Sequence, residues 1–110
     1  TERDYTHVSD IVQGILRALD RDEPFAVYNL GESRTIPLRR LIGLLQEYAG
    51  KKARLRPMPE QPGDAARTFA SVDRARERLG YDPKTPVEDG LRDFVAWYNL
   101  QRKPLCTERP

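Results

Sequence analysis

The chain has 110 residues, enough for one small domain and too few for a complete two-domain enzyme, since domains run ~100–150 residues. Its 38% hydrophobic and 33% charged residues, against a usual charged share of ~25%, predict a core that is thin for a domain standing alone. A net charge of +2 excludes the dense basic stripe of a reader of nucleic-acid backbone, the single Cys106 excludes an intrachain disulfide or cysteine-cluster zinc site and suits a reducing compartment, and no apolar run approaches the ~20 residues of a membrane span.

Arg3-Asp4-Tyr5-Thr6-His7-Val8-Ser9-Asp10 reads as an extended segment carrying an arginine, an aromatic, the one histidine and two acids. Asp10 and Gln13 have capping-box spacing, and Ile11, Val12, Ile15, Leu16 and Leu19 share one helical face, predicting a helix over 10–20. Asp20 to Pro24 breaks it. Phe25-Ala26-Val27-Tyr28-Asn29-Leu30, an apolar run ending at Gly31, predicts a buried strand that needs neighbours on both edges; such neighbours are scarce in this sequence. Pro37 suits the first turn of a second helix, with a buried stripe of Leu38, Leu41, Ile42, Leu45, Tyr48 and Ala49 and a stop at Gly50.

Ala53-Arg54-Leu55-Arg56 alternates as a short half-exposed strand, and Pro57, Pro59 and Pro62 impose an extended loop. Ser71 caps a short helix with Val72, Ala75 and Leu79 inside and Gly80 at its end. Thr85-Pro86-Val87-Glu88 is a capping box with proline at the first helical position; the helix it opens runs to residue 102, with Val87, Leu91, Phe94, Val95 and Tyr98 inward. Residues 103–110 are expected to form a flexible tail. The order predicts one domain, 1–102, of mixed α/β (α+β) class.

Each chemistry-bearing group has a plain structural reading beside the functional one. A guanidinium fork matches phosphate oxygens, so Arg3 beside Tyr5 suits a phosphate clamp, while on the residues alone solvated charges on an extended segment are the favoured reading. His7, without a second histidine or a cysteine partner, is expected to serve as a structural hydrogen-bonding group. Gln61-Pro62-Gly63-Asp64 is a polar turn whose carboxylate suits ribose hydroxyls, although most such turns only connect. Lys51, Lys52, Arg54, Arg56 and Arg67 either draw an anion to that loop or form a solvated face. Gly31-Glu32-Ser33 ahead of the second helix resembles a phosphate-binding turn but lacks Gly-x-Gly-x-x-Gly spacing and is excluded as a dinucleotide site. Phe94, Trp97 and Tyr98 are assigned to core packing. With no nucleophile elbow or P-loop, no catalytic residue and no metal site are assigned to the chain.

Three stretches, Arg3 through Val12, Tyr28-Asn29-Leu30-Gly31, and Gln61-Pro62-Gly63-Asp64 leading to Leu79-Gly80-Tyr81-Asp82-Pro83-Lys84-Thr85, together resemble the C-terminal part of extended short-chain dehydrogenase/reductases of the NAD-dependent epimerase/dehydratase family. The likeness is greatest to UDP-glucuronate 4-epimerases and covers residues 2–100. It implies a two-lobed parent enzyme in which an N-terminal Rossmann lobe, outside this chain, carries the NAD loop and the catalytic Tyr and Lys. The C-terminal lobe holds the nucleotide end of a UDP-sugar. By this likeness Arg3 contacts the pyrophosphate, Tyr5 lies beside the nucleotide and Asp64 hydrogen-bonds the uridine ribose. Some relatives carry an arginine at the position of Gln61 and others near Ala66, which makes Gln61 and Arg67 candidates for the second phosphate contact. Ser71 replaces an aspartate common before the short helix.

The reaction so implied oxidises sugar C4 by hydride transfer to NAD and returns the hydride to the opposite face, taking UDP-glucuronate to UDP-galacturonate. UDP-glucuronate decarboxylases and nucleotide-sugar dehydratases share the first and last stretches and are the alternatives within the superfamily. From another class, the alternative is a non-catalytic module whose Phe25–Leu30 segment adds to a partner's sheet. The chain alone is expected to be inactive and cytoplasmic, and to bind no NAD, nucleic acid or membrane. Its expected partners are a UDP-sugar and its own Rossmann domain. The parent is expected to be a homodimer, and the isolated chain to self-associate or expose an apolar patch.

Overall fold

The computed structural model describes residues 1–106. In chain order its elements are β1 (Glu2–Arg3), α1 (Val8–Leu19), β2 (Ile36–Pro37), α2 (Leu38–Ala49), β3 (Arg67–Thr68), α3 (Asp73–Leu79) and α4 (Val87–Cys106), the mixed α/β class that the sequence predicts. The sheet is miniature, ordered β2-β1-β3, with β2 antiparallel and β3 parallel to the central strand. Glu2 faces Pro37 and Arg67, and Arg3 faces Ile36 and Thr68. Leu38 N–H to the Thr1 carbonyl at 3.0 Å and Glu2 N–H to the Ala66 carbonyl at 2.8 Å extend the ladders. Two-residue strands show no periodicity, so none of the three is legible as a strand in the sequence.

The helices sit where apolar spacing places them, but their ends are held differently. α1 begins before residue 10, with His7 as its N-cap and the imidazole Nδ1 accepting from Ser9 N–H at 3.3 Å. Asp10 and Gln13 therefore lie inside the helix and form no capping box. Gln13 instead pairs with the Asp82 backbone in both directions, each bond 2.9 Å. Asp10, only 3% exposed, accepts from Lys84 N–H and Thr85 N–H, each at 3.0 Å. The expected Thr85–Glu88 box is likewise replaced: Thr85 Oγ1 meets Ser9 Oγ at 3.3 Å and Glu88 meets Arg40 of α2 at 3.5 Å. Gly50 and Gly80 end α2 and α3 at φ 63° and 65°, in the left-handed region that costs glycine least. The backbone of α4 continues to Cys106, into the segment expected to be a tail, and the rest of that segment lies outside the described residues.

α1 packs on α3 and α2 on α4. The core cluster is Val72, Ala75, Leu79 and Tyr81, backed by Ala18, Tyr28 and Leu30; Leu44 and Val95 are the other buried apolar side chains. Leu44, not the stripe predicted for α2, is that helix's buried residue. Phe94, Trp97 and Tyr98, expected in the core, are exposed. An amphipathic helix usually turns its apolar stripe inward, and α1 does the reverse. Val12, Ile15, Leu16 and Leu19 are exposed, while Asp10 and Gly14 are its buried residues. At Gly14 an added Cβ would stand 2.6 Å from Leu30 Cδ2, so a larger residue there requires the Leu30 side chain to shift. The predicted strand Phe25–Leu30 is unpaired among the described residues, and Phe25 is 86% exposed. A strand forms only against a hydrogen-bonded neighbour, and no described strand lies beside it. Ala53–Arg56 fails for the same reason and is exposed along its length.

Candidate functional site

β1 carries Arg3 through the middle of the sheet. Its Nη1 donates to the Glu2 carbonyl at 2.8 Å and its Nη2 donates to Asp64 Oδ1 at 2.6 Å. The carboxylate is delivered by a tight turn in which Asp64 N–H donates to the Gln61 carbonyl at 3.1 Å and Gly63 has φ 89°. Proline then glycine at the two central positions is the signature of a type II turn. β3 sets Arg67 beside Glu2, with Nε 3.4 Å from Oε2, and its guanidinium lies 4.9 Å from the Phe69 ring centroid. Arg3 and Asp64, distant in sequence, thus meet, while Arg67 pairs with Glu2 on the neighbouring strand. A concavity of about 270 Å³ opens beside Arg3, lined in part by Arg3, Asp4, Gly31, Thr68 and Phe69. The Arg3–Asp64 pair is open to water, with side chains 28% and 49% exposed. Such pairs contribute at most about 1 kcal/mol.

Two of the residues singled out in the sequence stand apart. Gln61 enters through its carbonyl, and its side chain is exposed. Tyr5 lines a different, apolar groove of about 580 Å³ with His7, Leu91, Phe94 and Trp97. Tyr5 also borders a recess of about 90 Å³ with Glu32, Arg34 and Glu88. Burial pushes the Glu32 carboxyl above its ordinary range; Arg34 opposes this, and Asp4, Asp10 and Glu88 add to it. The basic run Lys51–Arg56 is exposed. Tyr48 and Lys52 have the spacing of a Tyr-x-x-x-Lys pair, but Gly50 closes α2 between them and Arg92 covers the Tyr48 ring at 5.0 Å.

Sequence reasoning missed Asp4. Its carboxylate accepts from Ser33 N–H at 2.8 Å, from Glu32 N–H at 3.1 and 3.2 Å, and from Thr6 Oγ1–H at 3.2 Å. Consecutive backbone amides around a left-handed residue form an anion-binding concavity, and Ser33 has φ 56°. The turn excluded above as a dinucleotide site on its spacing is therefore an anion nest after all, with the chain's own carboxylate in it. Gly31 permits the approach, since a Cβ there would lie 2.9 Å from Asp4 Oδ2. On the other side, the Tyr81 hydroxyl donates to the Gly31 carbonyl at 2.8 Å. The glycine was a legible signal; the acid that fills the turn, distant in sequence, was not.

The sequence model of the family described as GDP-mannose 4,6 dehydratase matches residues 1–94. The UDP-glucuronate 4-epimerase 5 of Arabidopsis thaliana is 36% identical over 110 residues, covering 87% of this chain and 25% of its own length. The structure of UDP-glucose 4-epimerase from Thermotoga maritima with UDP-glucose superposes with a TM-score of 0.85 at 29% identity, covering 93% of this chain and 33% of that one. That of UDP-glucuronic acid 4-epimerase from Bacillus cereus with UDP-glucuronic acid and NAD gives 0.77 at 26% identity, covering 88% and 32%. The chain belongs to this epimerase/dehydratase family of extended short-chain dehydrogenase/reductases and corresponds to their C-terminal part. It spans between a quarter and a third of the length of these relatives. Among the described residues no helix is long and apolar enough to cross a membrane.

Proposed function

We propose that the chain is the nucleotide-holding portion of an NAD-dependent UDP-sugar 4-epimerase acting on UDP-glucuronate. The observation that carries this reading is the water-exposed pairing of Arg3, on the central strand, with Asp64, beside a concavity that Arg3 lines. Arg3 supplies charge for the diphosphate and Asp64 supplies acceptors for ribose hydroxyls, with Arg67, paired with Glu2 in this structure, the candidate for a second phosphate contact. Held there, the nucleotide orients the distant sugar carbon for hydride transfer. NAD and the proton-transferring residues belong to the part of the parent outside residues 1–110. The best candidate turn for a cofactor phosphate, Gly31–Ser33, already holds the Asp4 carboxylate.

Surface area supports a second lobe. The chain exposes 8973 Å², whereas a compact monomer of 12.7 kDa exposes about 6,200 Å². Its radius of gyration is 17.8 Å, against about 13 Å for a compact domain of this length. The excess, about 2,700 Å², is as large as one side of an obligate interface. Its exposed apolar side chains include the outward stripe of α1, Phe25 and Val27, and Phe94, Trp97 and Tyr98 of α4.

Residues 1–110, supplied with NAD and UDP-glucuronate, are expected to show weak UDP binding and no turnover; epimerisation by the chain alone refutes this division of labour. Product analysis of the parent is expected to show C4 inversion. Release of carbon dioxide or water instead assigns it to the decarboxylases or dehydratases.

A further inference from the structure

We propose that Asp4 is a positioning residue for the nucleotide diphosphate, acting through Arg3; this rests on the reading above. The ladders that hold β1 are two residues long, too short to fix the aim of a long side chain by themselves. Beside the bonds of the guanidinium to the Glu2 carbonyl and Asp64, a backbone anchor comes from the next residue. Asp4 is bound by the amides of Glu32 and Ser33 and by the Thr6 hydroxyl, so the chain immediately after Arg3 is pinned to a rigid turn. That turn also reaches β3's continuation, because Ser33 Oγ–H donates to the Ala70 carbonyl at 2.7 Å. One carboxylate therefore sets Arg3 relative to the segment that follows Arg67.

The same contacts solve an electrostatic problem. A free carboxylate beside Arg3 would repel a diphosphate and compete for the guanidinium. Both Asp4 oxygens instead face backbone donors, so Asp4 does not add a second carboxylate to Asp64 in competing with the ligand for the Arg3 guanidinium. Asp4 touches neither substrate nor reacting atoms in this scheme.

UDP is titrated into the 110-residue chain with NMR detection, which reads millimolar affinity. Asp4→Asn is expected to weaken binding roughly five- to twenty-fold, the scale of a lost charge-assisted cluster. It should also move the Glu32 and Ser33 amide protons upfield. Thr6→Val, which removes a single contact, is expected to weaken binding about two- to threefold and keeps the test alive if Asp4→Asn does not fold. In an Arg3→Ala background Asp4→Asn should add nothing, a result that a merely structural role would not produce. Unchanged affinity in Asp4→Asn, or an equal loss with and without Arg3, overturns the proposal alone. Unchanged binding in Arg3→Ala, or no UDP binding by the unmodified chain, overturns the nucleotide-site reading and this proposal with it.

Discussion

Replacing Asp10 by alanine tests how the lobe is tied together. The carboxylate is 3% exposed and accepts two backbone N–H bonds at 3.0 Å from Lys84 and Thr85, joining α1 to the turn that leads into α4. Hydrogen bonds to a charged group are worth about 1.5–3 kcal/mol each. Lys84 is exposed and Thr85 half-buried, so water recovers part of the loss, and about 2–4 kcal/mol is expected overall. That is a large share of the ~5–15 kcal/mol that holds a domain together. In urea unfolding followed by helical circular dichroism, the midpoint should fall by roughly 1–3 M with the slope unchanged. Asp10→Asn keeps the shape and one acceptor oxygen but turns an amide donor toward a backbone N–H, and should lose an intermediate amount. Asp89→Ala is the control: its partner Arg92 and it are both more than half exposed, and such pairs are worth under about 1 kcal/mol. A midpoint shift for Asp10→Ala no larger than the control's would refute the argument that these bonds join the helices.

Gly43 lies within α2 with nothing within 4 Å of an added Cβ, so Gly43→Ala should raise stability by about 0.5–1 kcal/mol, read from the same urea curves. Because the Glu32 carboxyl is raised by burial, its contribution is full below the ordinary carboxylate range and lost as pH rises through the raised value. Glu32→Gln is therefore expected to stabilise the chain at neutral pH and to lose that advantage on acidification. Tyr81 is buried, its hydroxyl donates to the Gly31 carbonyl, and burial followed by the Asp10 charge pushes its pKa above the ordinary tyrosine value. Tyr81→Phe should cost about 1–2 kcal/mol, and the unsubstituted chain should lose stability more steeply than the variant as pH climbs past the ordinary tyrosine range. In sedimentation velocity the isolated chain should self-associate through its outward apolar stripe, and Leu16→Glu with Leu19→Glu, both at exposed positions, should return it to monomer without changing its circular dichroism.

Sequence alone determined what depends on local spacing. Apolar periodicity placed all four helices, and the glycines after α2 and α3 marked their ends, because helix formation and αL termination involve residues a few positions apart. The motif order pointed to the family. Tertiary structure decided what depends on partners distant along the chain. The periodicity of α1 identified an apolar face but not its direction; with Asp10 and Gly14 buried, that face points outward. Phe25–Leu30 has the composition of a buried strand, yet pairing requires an adjacent edge that the described residues do not supply. Arg3, Asp64 and Arg67 were legible as residue types; only the turn at Gly63 brings Asp64 to Arg3, and only the parallel register of β1 with β3 sets Arg67 opposite Glu2. Asp4 was hidden among solvated charges because hydrogen bonding to the Gly31–Ser33 turn is a contact in space without a periodic signature. The thin core predicted from composition takes physical form in the excess surface: a chain this rich in charge buries little of its own apolar area and leaves apolar side chains exposed on α1, on α4 and at Phe25 and Val27.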